Sequence, residues 1–467
     1  MKCAYINRQA ARGGLLFVAI VFLLPALVRQ AEAQAETVLY SFNGASDGGL
    51  PAAGLVSDKD GNLYGTTWQF GDGSCVFPDV GCGTVFELMR ERDGGNIQWT
   101  FKLLHTFIGG SDGADPADSL VLDQAGNLYG TTAWGGTGCA GSGCGTVFEL
   151  ERSGDQWIEK VLYRFTGGSD GQEPLGSVTL DSQGNLYGTA SYGGDNSCIN
   201  GFGTGCGVVF RLSPTGAGTE DTWALTVLHT FHGADGANPY VGVTLAPPKL
   251  CGSPEHAIAG GNGKICIFGT ATNGAYTFVE PGGVVFQISL GGRTLNYSVL
   301  YKFPGGCGGP GGPLALDKFG TLYGMAHLGG QYCSGSVFTL SRDSAAGLWT
   351  ETDIYSFSGP DGWFPENQGL VMDQHENLYG TTSAGGTSSN CQAGCGAVFR
   401  LSKATGGGWY ESGLYSLQGG ADGWGPLAGT VVVNRTGVYG MTPSGGDPGC
   451  IGADNQPGCG VIYRISP

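Results

Sequence analysis

The stretch GNLYGTT occupies residues 61–67 and returns as GNLYGTT (126–132), GNLYGTA (184–190), KICIFGTA (264–271), GTLYGMA (320–326), ENLYGTT (376–382) and TGVYGMT (436–442). Its aromatic residue falls at Tyr64, Tyr129, Tyr187, Phe268, Tyr323, Tyr379 and Tyr439, at spacings of 65, 58, 81, 55, 56 and 60, so the chain is a sevenfold repeat with one long insertion. Three further apolar segments accompany every copy of this B segment. Segment A precedes it, as LVSD (55–58), LVLD (120–123), VTLD (178–181), VTLA (243–246), LALD (314–317), LVMD (370–373) and TVVVN (430–434). Segment C follows it, as GTVFEL (83–88), GTVFEL (145–150), GVVFRL (207–212), GVVFQI (283–288), GSVFTL (335–340), GAVFRL (396–401) and GVIYRI (460–465). Segment D comes next, as LLHTF (103–107), VLYRF (161–165), VLHTF (227–231), VLYKF (299–303), DIYSF (353–357) and GLYSL (413–417); a seventh, VLYSF (38–42), stands ahead of the first A.

All these segments are short and rich in β-branched and aromatic side chains, which is strand chemistry. Four strands repeated seven times predict an all-β, seven-bladed β-propeller with four antiparallel strands per blade. The repeat opens on a D strand and closes on a C strand. Residues 37–42 are therefore expected to pair with 461–466 and complete the last blade, whereas an open solenoid would leave both edges bare.

Composition agrees. The 467 residues include 90 glycines and 21 prolines, but 41% are hydrophobic and only 13% charged, which excludes a disordered chain and disfavours a helical one. Residues 1–33 read as a signal peptide: Lys2, Arg8 and Arg12 precede the apolar run 15–28, and Ala31-Glu32-Ala33 offers a cleavage site. The 14-residue run is interrupted by Pro25 and is short for a bilayer, so no membrane span is expected after cleavage. Residues 34–467 are then a single propeller domain, secreted or periplasmic and expected to be monomeric. Losing Lys2, Arg8, Arg12, Arg29 and Glu32 moves the net charge from −17 to −20, which repels phosphate backbones and argues against nucleic acid as partner.

Cys3 leaves with the signal, and the other 14 cysteines form an even set suited to an oxidising compartment. Five pairs are expected within B–C loops: Cys75 with Cys82, Cys139 with Cys144, Cys198 with Cys206, Cys391 with Cys395, and Cys450 with Cys459. Cys251 with Cys266 brackets the insertion near 247–263, expected on the opposite face, and Cys307 with Cys333 would join a D–A loop to the next B–C loop. Zinc suits these spacings less well, because histidines do not accompany the pairs.

The GNLYGTT and GTVF boxes, with an intervening GG and the later DGxxP, resemble the GloVer tandem repeat of bacterial choice-of-anchor proteins over nearly all of residues 37–467. The resemblance implies a secreted or surface protein and no particular activity. Relatives would be expected to carry a sorting tail, whereas this sequence stops at Pro467 just after its last strand, so free secretion or periplasmic residence is the expectation.

DGxxP recurs at Asp47, Asp112, Asp170, Asp235, Asp361 and Asp422, where six carboxylates could ring a structural calcium ion; turn formation accounts for them better, and no other cofactor is implied. Trp99, Trp157, Trp223, Trp349 and Trp409 are expected to pack, and His105 and His229 stand where other D strands have tyrosine. Function should lie where the repeats disagree, on the face bearing the D–A and B–C loops. The candidate ligand residues are Trp68, Trp134, Tyr192, His327, Trp363, Trp424, Asp115 and Glu173, since flat rings stack on sugars while polar groups orient them. They could also simply cover loop backbone. The expected partner is a carbohydrate or an extracellular protein. The alternative is a propeller enzyme such as a polysaccharide lyase, glycosidase or lactonase, but its acid and base candidates, Glu173, Asp115, His232 and His327, show no recognisable catalytic spacing.

Overall fold

The computed structural model describes residues 35–466 apart from loop positions 72–74, 76–80, 117, 137, 140, 199–203, 217–221, 248–249, 252–264, 273–281, 292–293, 306–307, 344–346, 366–368, 428 and 453–456. The expected signal peptide and most of the 247–263 insertion lie outside the described residues, as does Cys307.

Seven small antiparallel sheets, each holding the order A-B-C-D, form a seven-bladed propeller, and in blade 2 a short fifth strand, Ala114–Pro116, also pairs with the B strand. In blade 1 the strands are Val56–Ser57, Leu63–Thr67, Thr84–Asp93 and Asn96–Thr106. Blades 2 to 6 run from the A strands Val121–Leu122, Thr179–Leu180, Thr244–Ala246, Ala315–Leu316 and Val371–Met372 to the D strands Gln156–Arg164, Trp223–Thr230, Thr294–Lys302, Trp349–Ser356 and Trp409–Ser416. Blade 7 is built from both ends of the repeat: Val432–Asn434, Gly437–Thr442 and Val461–Ile465 are completed by Glu36–Ser41, which pairs with Val461–Ile465 from Glu36↔Ile465 to Ser41↔Val461. The expected closure is thus present.

The D strands begin earlier than their apolar boxes suggest, because the C–D hairpins extend outward beyond the core with alternating exposure. The five tryptophans therefore lie inside D strands, and each reaches back to the B-strand aromatic of the preceding blade. Trp157 meets Tyr64 at 6.1 Å, Trp99 meets Tyr439 at 6.0 Å, Trp349 meets Phe268 at 6.3 Å and Trp409 meets Tyr323 at 5.9 Å, while Trp223 packs in the cluster holding Tyr129. The core consists of seven clusters, and each one spans the seam between two neighbouring blades. Fully buried Phe86, Phe148, Phe210, Phe286, Phe338 and Phe399 come from the C strands, each burial contributing about 2–3 kcal/mol.

Two glycines per repeat are dictated by close approach. The LYG glycine faces the C-strand aromatic: a Cβ on Gly65 would lie 2.7 Å from Phe86 Cζ, and on Gly188 2.7 Å from Phe210 Cζ. The glycine opening each C strand has a left-handed backbone in six of its seven copies and abuts the DGxxP proline of the next blade. A Cβ on Gly83 (φ +84°) would lie 2.7 Å from Pro116 Cδ, on Gly207 (φ +92°) 2.7 Å from Pro239 Cδ, and on Gly396 (φ +94°) 2.9 Å from Pro426 Cδ. Six of the expected disulfides are formed, Cys75–Cys82, Cys139–Cys144, Cys198–Cys206, Cys251–Cys266, Cys391–Cys395 and Cys450–Cys459. The seventh expected pair rests on Cys307, outside the described residues.

Candidate functional site

In the DGxxP loops the residue before the proline takes a left-handed backbone, with φ of +55° at Leu50, +58° at Asp115, +54° at Glu173, +52° at Asn238, +54° at Phe364 and +63° at Gly425. Away from glycine this conformation costs on the order of 1 kcal/mol. It is held from the neighbouring blade. The N–H groups of these six residues donate to the carbonyls of Cys459, Cys82, Cys144, Cys206, Ser334 and Cys395 respectively. Five of those acceptors belong to the second cysteine of a B–C loop disulfide, so the bridges fix the carbonyls that fix the loop.

The pre-proline side chain lies across the seam from the residue that follows the previous blade's LYGT box. Asn238 Nδ2 donates to Ser191 O at 3.0 Å, and the Phe364 ring stacks on His327 at 5.0 Å and 11°. At the same place in the neighbouring seams, a Cβ on Gly83 would lie 2.7 Å from Pro116 Cδ and 2.9 Å from the Trp68 carbonyl, and a Cβ on Gly145 would lie 2.4 Å from Pro174 Cδ and 2.9 Å from the Ala133 carbonyl. Around the mouth of the propeller, seven equivalent positions thus carry Leu50, Asp115, Glu173, Asn238, Gly309, Phe364 and Gly425. Blades 2 to 4 supply a polar arc, and blade 6 an aromatic one.

Asp115 is 7% exposed, and no described residue hydrogen-bonds its carboxylate; burial pushes its pKa from 3.8 up to about 7. Burial also raises Glu173, against a hydrogen bond from Gln172. Beside it, the Tyr192 and Tyr240 hydroxyls meet at 3.0 Å with their rings edge to face at 6.2 Å. Burial raises both phenols, and the Glu173 charge adds to it. Trp363 stacks on Phe364 at 4.4 Å, and its buried indole N–H meets no acceptor among the described residues. Trp68 is the most open of these rings at 39%. Trp134 packs against the core between blades 1 and 2, and Trp424 is half-buried, bridged to Ser444.

The histidines are dispersed. His327 lies in the Phe364 stack, and His232 Nδ1 lies 2.6 Å from Asp195 on the loops of blades 3 and 4, apart from the pre-proline positions. The DG aspartates serve their own loops: Asp47 accepts from Tyr40 at 2.9 Å, Asp170 from Tyr163 at 3.0 Å, Asp422 from Tyr415 at 3.0 Å, and Asp361 from Tyr355, while Asp235 pairs with His229 at 2.9 Å and Asp112 lies 3.4 Å from His105. Backbone N–H groups of Asn43, Ile108, Thr166, His232, Ser358 and Gln418 also bind them. Each carboxylate therefore turns to its own D strand and not towards its counterparts. No group of three or more His, Cys, Asp or Glu among the described residues is placed to hold a metal ion.

Just before the A strands, small residues close around the axis. Gly54 N–H donates to Ser119 Oγ at 3.0 Å; a Cβ on Gly242 would meet Ser177 Oγ at 2.5 Å, and on Gly369 would meet Pro313 Cγ at 2.8 Å. Among the described residues of this ring Asp118 is the single titratable group. Its carboxylate accepts from Ser119 N at 2.6 Å, Ser119 Oγ at 3.1 Å and Ser177 N at 2.8 Å, tying blade 2 to blade 3, and burial raises it. Asp118 and Tyr240 are not among the residues singled out from sequence. Aligning the seven loops on proline and the following Leu or Val would have shown Asp118 as the one charge two places after the proline.

No curated protein matches the chain. Similar solved structures include an ulvan lyase, described as a polysaccharide lyase, at 10% identity and a TM-score of 0.50 over 92% of this chain and 96% of that one. The periplasmic gluconolactonase of Pseudomonas aeruginosa is similar at 15% identity and a TM-score of 0.44, over 81% and 86%. At these identities the likeness concerns the fold alone. The family profile described as the Gloeobacter/Verrucomicrobia repeat matches residues 28–266 and 253–467. With both tandem matches together spanning the whole propeller, the chain belongs to the Gloeobacter/Verrucomicrobia repeat family.

Proposed function

We propose that the protein is an extracellular glycan-binding module whose ligand enters the mouth between the D–A and B–C loops. One observation carries this reading. Seven positions with equivalent roles in the loops hold six different residue types, acidic at Asp115 and Glu173, amide at Asn238 and aromatic at Phe364. A position serving only the fold would be expected to repeat its side chain as its glycine and proline neighbours do. Exposed Trp68, and the Tyr192–Tyr240 pair beside Glu173, combine stacking surface with polar groups, the usual composition of a sugar site. Six disulfides suit an oxidising compartment, in keeping with the secretory signal expected of residues 1–33.

An extracellular enzyme is the second reading, supported by the burial of Asp115, which raises its carboxyl towards the range in which a group exchanges protons in neutral medium. The test of the first is a glycan-array screen of the mature protein with Trp68→Ala and Glu173→Gln. Binding by wild type that both variants weaken at least tenfold supports the mouth as the site. Binding that neither variant alters moves the site elsewhere, and an array on which wild type binds nothing ends the glycan reading.

A further inference from the structure

Tyrosine hydroxyls in this propeller are for the most part spent inside the fold. Tyr40, Tyr163 and Tyr415 donate to the aspartates of their own loops, and Tyr64 and Tyr129 to Glu87 and Glu149. Tyr192 and Tyr240 differ: among the described residues the partner of each hydroxyl is the other phenol, at 3.0 Å across the seam between blades 3 and 4. Backbone clamps bring them together. On blade 3, Gln172 N–H donates to Tyr192 O at 2.9 Å and Ser191 N–H to Glu173 O at 3.0 Å. From blade 4, Asn238 Nδ2 donates to Ser191 O at 3.0 Å, and Ser191 Oγ donates to Pro239 O at 3.2 Å, which holds the residue before Tyr240 against Ser191. Tyr192, Tyr240 and Glu173 are all half-buried, and the Glu173 charge acts on both phenols.

A bond between two phenols uses one O–H and leaves the second as a donor with no partner among the described residues. A carboxylate has room for about four hydrogen bonds, of which Gln172 supplies one to Glu173. The cluster thus offers a hydroxyl donor and open acceptor sites together. A group that only donates leaves the phenol unanswered, and one that only accepts, such as a uronate or sulfate, brings lone pairs and a second negative charge to Glu173. Resting on the glycan reading, we infer that the ligand is a neutral sugar chain held at the seam of blades 3 and 4, one hydroxyl donating to Glu173 and another accepting from the Tyr192–Tyr240 pair. The two rings, edge to face at 6.2 Å, supply apolar surface for the C–H groups of the same sugar.

The experiment is calorimetric titration of the mature protein at neutral pH with β-1,4-linked hexamers of glucose and of mannose and with the matching glucuronate and mannuronate hexamers, which differ from them in carrying a carboxylate at C6. The expected result is that at least one neutral hexamer binds, at least tenfold more tightly than its uronate. Tyr240→Phe, which keeps the ring and removes the hydroxyl, should weaken the neutral hexamer about fivefold while leaving the melting temperature within a few degrees. Tyr192→Phe gives the same reading should that variant fail to fold. Glu173→Gln should weaken the neutral hexamer and bring the uronate to within about threefold of it, a change of selectivity that a merely structural role of Glu173 would not produce. A uronate that binds as tightly as its neutral match overturns the inference and leaves the glycan reading standing, as does neutral binding that none of the three variants alters. Failure of all four hexamers overturns the inference too, and the glycan reading ends with it where the array is also empty.

Discussion

Four residues before the D-strand tyrosine or histidine, the seven blades carry Phe101, Glu159, Leu225, Tyr297, Glu351, Glu411 and Glu36. Three of these, Glu36, Glu159 and Glu411, sit against the DG aspartate of the preceding blade's loop, and each has a buried Oε1 with no partner among the described residues. Burial first, and then Asp422, Asp112 and Asp361 in turn, raise the three glutamates from 4.5 to about 7. Because the folded pKa lies above the unfolded one, the stabilisation is fully present below about pH 4.5 and is lost as pH rises through 7. At about 1.4 kcal/mol per pH unit the ceiling is roughly 3 kcal/mol per group, but half-buried carboxyls are screened by water, and we take about 1 kcal/mol each. Replacing all three by glutamine removes this pH-dependent term and supplies a permanent N–H donor to each aspartate. Thermal unfolding followed by tryptophan fluorescence should then show wild type losing stability relative to the Glu36→Gln, Glu159→Gln, Glu411→Gln variant between pH 5 and 8, by about 3 kcal/mol in all. Taking the difference between the proteins cancels the other titrating groups. A difference that stays constant from pH 5 to 8, or grows in favour of wild type, would refute the reasoning.

Three other outcomes follow from the seams and loops. Gly207→Ala drives a Cβ towards Pro239 Cδ at a backbone of +92° and should cost about 3 kcal/mol in denaturant unfolding, whereas a loss below about 1 would mean that the seam yields. Phe42, fully buried between blades 7 and 1 and edge to face with Phe86 at 5.3 Å, should cost about 3–5 kcal/mol on replacement by alanine, read in the same way. Reducing the disulfides should free the carbonyls that hold the pre-proline residues, so limited proteolysis is expected to cut the D–A and B–C loops well before amide exchange in the B and C strands changes; simultaneous loss of both would contradict this.

Much of this was legible in the chain because the repeat reads each rule seven times over. Box order gave the strand order and the closing partner, since an unpaired Glu36–Ser41 edge and an incomplete last blade solve one another. Six cysteine pairs were legible from short separations in loops. Backbone conformation was not: nothing in Leu50 or Phe364 announces a left-handed residue, because the neighbouring blade's carbonyl imposes it. For the same reason Asp115 and Glu173 could be picked out as variable, but their backbone, held by the carbonyls of Cys82 and Cys144, depends on contact across a seam. Tyr240 escaped notice because it belongs to blade 4 by sequence and meets Tyr192 of blade 3 only in space.

The completed seventh blade has a practical corollary. Glu36 and Ile465 are paired neighbours, and from them the Glu36–Ser41 strand runs towards the DG loop while Val461–Ile465 arrives from the B–C loop. Both ends of the propeller consequently leave side by side from the underside. A bead, tag or scaffold joined at either end would present the face of the D–A and B–C loops outward like a dish on its stem, and permuted versions opened at an A–B turn should display it equally well.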